Sequence, residues 1–221
     1  MTRMLLAALL AAQAATLPPP FPRDGAKKLI DNDRVTVWEV TWPRGVKTPM
    51  HRHPFPTVGV VLDPGALTMT LGDGTVRETT FTEPGQAVFA PAGFTHVEEG
   101  RSATPARAVI VELKGTPGEA AAAPAGVPPA FPRDGATKLL ENERVTVWNV
   151  TWPGGSAPTH FHASDVVVVG IEAGTTRSTP QRGEPSTTAW KFGDVRFNPR
   201  GRVHREEVVA GAPRIVAVEV K

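Results

Sequence analysis

Every histidine of the chain falls into one of two matching sets, His51-Arg52-His53 with His96 and His160-Phe161-His162 with His204, which together account for all 6. In an extended strand alternate side chains share a face, so an H-x-H pair aims two imidazoles at one point while Arg52 or Phe161 points away. A third imidazole from a neighbouring strand completes a facial set. Neutral imidazole ligates Zn, Fe, Ni and Cu, and three protein ligands leave positions open for water or substrate. The competing reading is that these are surface or hydrogen-bonded histidines copied together. It suits one His better than six, because the two regions differ widely elsewhere, loop length included, yet both keep the pair and the distant single His. The sequence therefore predicts two divalent-metal sites, His51, His53, His96 and His160, His162, His204.

The elements that must position these residues come from an internal duplication. Residues 21–45 read FPRDGAKKLIDNDRVTVWEVTWPRG and residues 131–155 read FPRDGATKLLENERVTVWNVTWPGG, identical at 19 of 25 positions. The offset is 110 residues here, 109 at His51 against His160 and 108 at His96 against His204, as expected when loops shorten between matched strands. Between the copies, residues 115–130 (GTPGEAAAAPAGVPPA) have no periodic pattern and carry four Pro, which reads as a linker. The units are then 20–114 and 131–221, each near the size at which a small β domain stands alone.

Within each unit, short apolar bursts of strand-forming residues alternate with turn signals such as Asp63-Pro64-Gly65, Gly72-Asp73-Gly74 and Glu83-Pro84-Gly85. The predicted strands are Val35 to Trp42, Val58 to Leu62, Leu67 to Leu71, Ala87 to Ala90 and Ala108 to Leu113, matched by Val145 to Trp152, Val166 to Ile171, Val195 to Asn198 and Arg214 to Val220. With 23 Pro and 21 Gly among 221 residues, long helices are disfavoured and an all-β sandwich or barrel is expected.

Composition narrows the function classes. The chain is 40% hydrophobic and 21% charged with both signs interleaved, a globular composition, and a net charge of +2 without basic runs lacks the footprint of a nucleic-acid binder. Arg3, the apolar run from Met4 to Ala12 and the small-x-small pattern Ala12-Gln13-Ala14 read as a signal peptide over 1–14, with the mature chain beginning near Ala15. That run is too short to span a bilayer, and no later segment is longer, so no membrane span is predicted. The expected location is periplasmic or extracellular, and the absence of Cys is compatible with it.

The spacing around the histidines resembles the cupin superfamily, whose first motif is G-x5-H-x-H-x3,4-E-x6-G and whose second is G-x5-P-x-G-x2-H-x3-N. Gly45, His51, His53 and Gly65, then Gly85, Pro91, Gly93 and His96, match in the first repeat. Gly154, His160, His162 and Gly174, then Gly193, Pro199, Gly201 and His204, match in the second. The resemblance covers both halves of the mature chain and implies two tandem jelly-roll β-barrels, each with its histidines lining the interior.

Two departures matter. The motif glutamate falls at Thr57 or Val58 and at Val166 or Val167, none of which offers a carboxylate, and Asp165 sits one position early, where a strand side chain turns to the other face. The motif asparagine is replaced by Gly100 and Val208. A three-His site remains, an arrangement that the superfamily includes in some iron-dependent dioxygenases; loss of the acid equally fits a weakened site.

Other residues take simpler readings. Trp38, Trp42, Trp148 and Trp152 are assigned to packing, and Glu112 and Glu219 to solvent. Arg196 and Asn198, where the first repeat has Val88 and Ala90, become a substrate anchor if their face points inward and a solvated strand if it points outward. The first repeat is expected to carry the chemistry, with Pro54 and Pro56 stiffening the chain beyond its ligands. The resulting expectation is an exported metal-binding bicupin acting on a small organic molecule. Its leading activity is that of an oxygen-dependent dioxygenase, with Fe ahead of Mn, Ni, Cu and Zn. A redox-neutral isomerase or lyase and a non-catalytic binding or sensing module are the alternatives, and a homo-oligomer is compatible with either.

Overall fold

The computed structural model describes residues 16–221; the signal-peptide reading of 1–14 lies outside the described residues. The first repeat contains β1 (Ala26–Asp31), β2 (Val35–Trp42), β3 (His51–Arg52), β4 (Thr57–Asp63), β5 (Gly65–Leu71), β6 (Val76–Phe81), β7 (Ala87–Ala90), β8 (Thr95–Gly100) and β9 (Ala106–Leu113). They form two antiparallel sheets in the orders β1-β2-β9-β4-β7 and β3-β8-β5-β6. The second repeat contains β10 (Ala136–Glu141), β11 (Val145–Val150), β12 (Ser156–Phe161), β13 (Asp165–Pro180), β14 (Ser186–Trp190), β15 (Val195–Asn198) and β16 (Val203–Val220). Here β13 and β16 stay paired from Asp165↔Val220 to Pro180↔His204, so each runs through both sheets of its barrel. In the first repeat the same path is divided into β4 and β5, where Pro64 supplies no backbone N–H, and into β8 and β9.

Strands β2, β4 and β9 are buried on both faces, which is why their sequences read as continuous apolar runs rather than alternations. One face of each points into its own barrel, where Trp38, Val40, Trp42, Leu67, Ala106 and Ala108 form a cluster. The other face meets the second repeat. Val58, Val60, Leu62, Val109 and Val111 join Val145, Val147, Val167, Val169, Val216 and Val218 in one apolar core. The two barrels therefore stand back to back. One face of each repeat is thereby covered by the other. A polar contact seals the edge of that interface, with Arg34 Nε donating to Asp165 Oδ2 at 2.9 Å.

The stretch 115–130 contains no strand, as expected of a linker, but it is anchored: Ala121 N donates to Ala163 O and Ala130 N to Phe161 O, both at 2.9 Å. No helix of the described residues is long and apolar enough to cross a membrane.

Candidate metal centre

The pairing of β3 with β8 sets His51 directly opposite His96, and the pairing of β12 with β16 sets His160 opposite His204. His53 and His162 follow two residues on along the extended chain and turn to the same side. Each is held by a turn: His53 N donates to Phe94 O at 2.9 Å and Gly93 N donates back to His53 O at 2.8 Å. The same pair of bonds links His162 to Arg202 and Gly201. Gly93 and Gly201 take φ of +81° and +85°, a conformation that suits glycine, and this is the physical role of the motif glycine that precedes each third histidine.

All six predicted ligands are brought together as two triads, and in each the candidate ligand atoms lie within 4.8 Å of one another. His53 Nε2 faces His96 Nε2 at 3.1 Å, and His162 Nε2 faces His204 Nε2 at 3.0 Å. Two nitrogens bound at right angles to one ion at ~2.1 Å stand ~3 Å apart, so the spacing fits a shared cation. The tautomers fit as well. His51 Nδ1 donates to Pro49 O at 2.9 Å and His160 Nδ1 to Pro158 O at 2.8 Å, which leaves each Nε2 with its lone pair free. His51 Nε2 is buried without a hydrogen-bond partner, a position that costs free energy unless an ion occupies it.

Burial is also the first cause of the low basicity of these rings. It pushes His53 down to about 4 and His96 down to about 3, with further repulsion from the neighbouring imidazoles. In the second triad His162 falls to about 3 and His204 to about 2, and Arg202 adds to the depression of both. His160 is lowered by burial too. Five of the six rings are thus held neutral at pH 7, which is the ligand form.

The residue that the sequence reading missed is Glu98. It lies two positions after His96 on β8 and so turns to the same face, bringing Oε1 to 3.9 Å from His96 Nε2. Its Oε2 accepts from Trp42 Nε1 at 2.8 Å and from Arg23 at 3.2 Å. Glu206 repeats the arrangement, accepting from Trp152 Nε1 at 3.3 Å. The i+2 spacing from the third histidine was the available signal. Glu112 and Glu219, expected in solvent, instead accept from Trp38 Nε1 at 2.8 Å and Trp148 Nε1 at 2.7 Å, and burial raises the pKa of both. The tryptophans therefore pack, as expected, and also hold carboxylates.

The place of the missing motif glutamate is confirmed as inward, since Thr57 and Val166 line the two barrel interiors. Asp165 does not reach the second triad; it pairs with Arg34 and with Arg200 at 3.3 Å. Asn198 lines the space beside the second triad, whereas Arg196 is exposed and lies over the Trp190 ring at 5.3 Å, outside that lining.

The two interiors differ in size. A cavity of about 310 Å³ opens on His51, His53 and His96, whereas about 40 Å³ is enclosed beside His160, His162 and His204, and a separate, more open hollow of about 280 Å³ borders His204 among Pro180, Arg182 and Arg202. Register accounts for part of this. Trp190 stands where the first repeat has Phe81. Val168, Gly170, Ile215 and Ala217 stand where it has Gly59, Val61, Ala108 and Ile110, the same four residue types in other places.

No family model matches the sequence, and no curated protein matches it. Solved structures do. Oxalate decarboxylase of Bacillus subtilis, a protein with Mn(II) centres, is 15% identical over 86% of this chain and 70% of its own, with a TM-score of 0.62. AerE from Microcystis aeruginosa is 12% identical over 93% and 99%, with a TM-score of 0.63. A cupin 2 conserved barrel domain protein from Leptotrichia buccalis is 13% identical over 89% and 88%, with a TM-score of 0.56. With its all-β sheets, its duplicated sequence and these neighbours, the chain has the cupin fold, built as two tandem jelly-roll barrels.

Proposed function

We propose that the protein is a metal-dependent enzyme in which the first barrel acts on a small organic molecule, while the second holds its ion with little enclosed space beside it. The observation that carries this reading is the cavity of about 310 Å³ on the first triad, set against about 40 Å³ on the second. His51, His53 and His96 would hold the ion in the first barrel, and His160, His162 and His204 in the second. A divalent ion bound there supplies Lewis acidity and, as Fe or Mn, a redox partner for oxygen.

The chain's own groups do the rest. The Pro49 carbonyl fixes the His51 tautomer, and Phe94 and Phe81 shield the cavity from water. Trp42 and Arg23 hold Glu98 through Oε2, leaving Oε1 turned toward the cavity, where it can take or return a proton. An oxygen-dependent oxidation is the leading activity. A redox-neutral lyase is the second reading, favoured by Glu98 beside the triad and by the likeness to a decarboxylase with Mn(II) centres. Export is also proposed, supported by the Arg3 to Ala14 pattern and read out by the N-terminal mass of the mature protein.

Elemental analysis with an oxygen-uptake and decarboxylation screen tests the proposal. Purified protein is expected to carry two divalent ions, and His53→Ala and His162→Ala to lose one each. His53→Ala should abolish turnover, and His162→Ala should keep most of it. The reverse pattern would move the chemistry to the second barrel, and failure to retain Fe, Mn, Ni, Cu or Zn in any loading would sink the ligand assignment.

A further inference from the structure

The lining of the first cavity is apolar along most of its length, with Phe21, Leu67, Met69, Phe81, Phe94 and Ile110 among its side chains. Its ionisable groups beyond the triad are Glu98 and Arg77. Strand register fixes their separation. Glu98 on β8 pairs with Met69 on β5, and Met69 pairs with Arg77 on β6, so the three form one row on the inner face of a sheet. Two strand spacings of ~4.8 Å put the backbones of Glu98 and Arg77 ~10 Å apart, with the Met69 side chain between them.

Arg77 is exposed at the rim, and no carboxylate of the described residues reaches it at ion-pair distance, Asp73 acting on it only at longer range. In the second repeat the same row reads Glu206, Ser178, Ser186, so the carboxylate recurs while the thioether and the cation do not. The second interior has its cations elsewhere, Arg133 and Arg202 beside its triad, so Arg77 is particular to the open cavity in its distance from the histidines.

From this arrangement, and resting on the reading of the first barrel as the working site, we infer a substrate class. The geometry points to a small apolar monoanion, a carboxylate on an aromatic or branched hydrocarbon body, with its charge on Arg77 and its far end at His51, His53 and His96. About 310 Å³ is the volume of roughly ten waters at ~30 Å³ each, enough for one ring and a short side chain. A single guanidinium balances one negative charge. Away from the ion, a second anionic group on the ligand would lie against the apolar wall, which desolvates it without a partner, and Glu98 repels one beside it. Oxalate, short and doubly charged, does not match this lining.

Calorimetric titration of the full chain with 3-phenylpropionate and 3-phenylpropionamide, and of the metal-stripped chain with the same two probes and oxalate, tests the inference, with metal content measured on the same samples and oxalate compared on the stripped chain only. The carboxylate is expected to bind at least tenfold more tightly than its amide, and oxalate more weakly than either. Arg77→Gln should erase the preference for carboxylate over amide without changing the metal content. Gly59→Val and, as a second variant, Ala108→Ile each add side-chain volume to the first cavity and should remove binding of both phenyl probes. Absence of binding by both phenyl probes, equal affinities for acid and amide, tighter binding of oxalate, or a carboxylate preference that survives Arg77→Gln would each overturn it. Stripping the metal separates the two proposals. The Arg77-dependent preference should persist after the ion is stripped, so a chain that retains no divalent ion in any loading yet discriminates acid from amide sinks the enzymatic reading and keeps the pocket's specificity.

Discussion

A histidine is useful to a metal only when it is neutral, and here burial does most of that work. The unfolded chain titrates near 6.5, whereas folded His53 titrates at about 4 and His96 and His162 at about 3. Each folded value lies below its unfolded value, so as pH falls below about 6.5 the unfolded chain gains protons that the folded apoprotein refuses. Stability is therefore lost on acidification, by up to about 1.4 kcal/mol per site per pH unit, until the folded values are reached. The expected outcome is a thermal midpoint for metal-free protein that drops between pH 7 and pH 5, and a smaller drop in His53→Ala. An unchanged midpoint would contradict neutral burial. Release of metal from the folded chain, which exchanges an ion for protons on the same lone pairs, should set in only as pH approaches about 4. The ligand types and their pairing were legible from the H-x-H spacing. The roles of Glu98 and Glu112 were not, because a lone Glu in a strand ordinarily faces water, and only the packed structure reveals the tryptophan N–H groups that hold them.

Strands with an apolar face were legible in the same way. Residues 35–42, 87–90 and 195–198 form the strands expected of them. Others were silent because composition hides them. β6, reading VRETTF, is mostly exposed, and β1, reading AKKLID, carries polar side chains on a sheet edge, as edge strands commonly do. β3 is two residues long and has no pattern to read, although it carries His51. Its position depends on the turn at Gly93, whose φ of +81° resists any side chain. A Cβ there would meet only the tip of the Arg52 guanidinium, at 3.3 Å, so the conformation rather than space sets the penalty. Gly93→Ala should cost about 1–2 kcal/mol in urea unfolding and weaken metal binding in the first barrel alone. Gly201→Ala should do the same in the second. If Gly93→Ala keeps both sites at full affinity and stability, the turn does not position His53.

At the scale of the whole chain, duplication has produced two barrels that depend on each other but are not alike inside. The shared core contains seven valines from the second repeat, Val145, Val147, Val167, Val169, Val216, Val218 and Val220, all at most 2% exposed. Removing the first repeat would expose their outward faces. At ~1.5–3 kcal/mol for each fully buried side chain, complete exposure of the seven amounts to roughly 10–20 kcal/mol, as much as the whole stability of a typical domain. The sequence made the repeat plain but not this dependence, because an apolar run in a strand looks the same whether its second face meets a partner sheet or a longer barrel wall. Residues 131–221 expressed alone are therefore expected not to persist as a folded monomer. They should either remain unfolded by circular dichroism or elute as a dimer in which a second copy covers the valine face. Asp165, which would also lose Arg34, should make the separated repeat still less stable at neutral pH. A monomeric 131–221 that unfolds cooperatively near the full chain's midpoint would show that the back-to-back core contributes little, and that each barrel is self-sufficient.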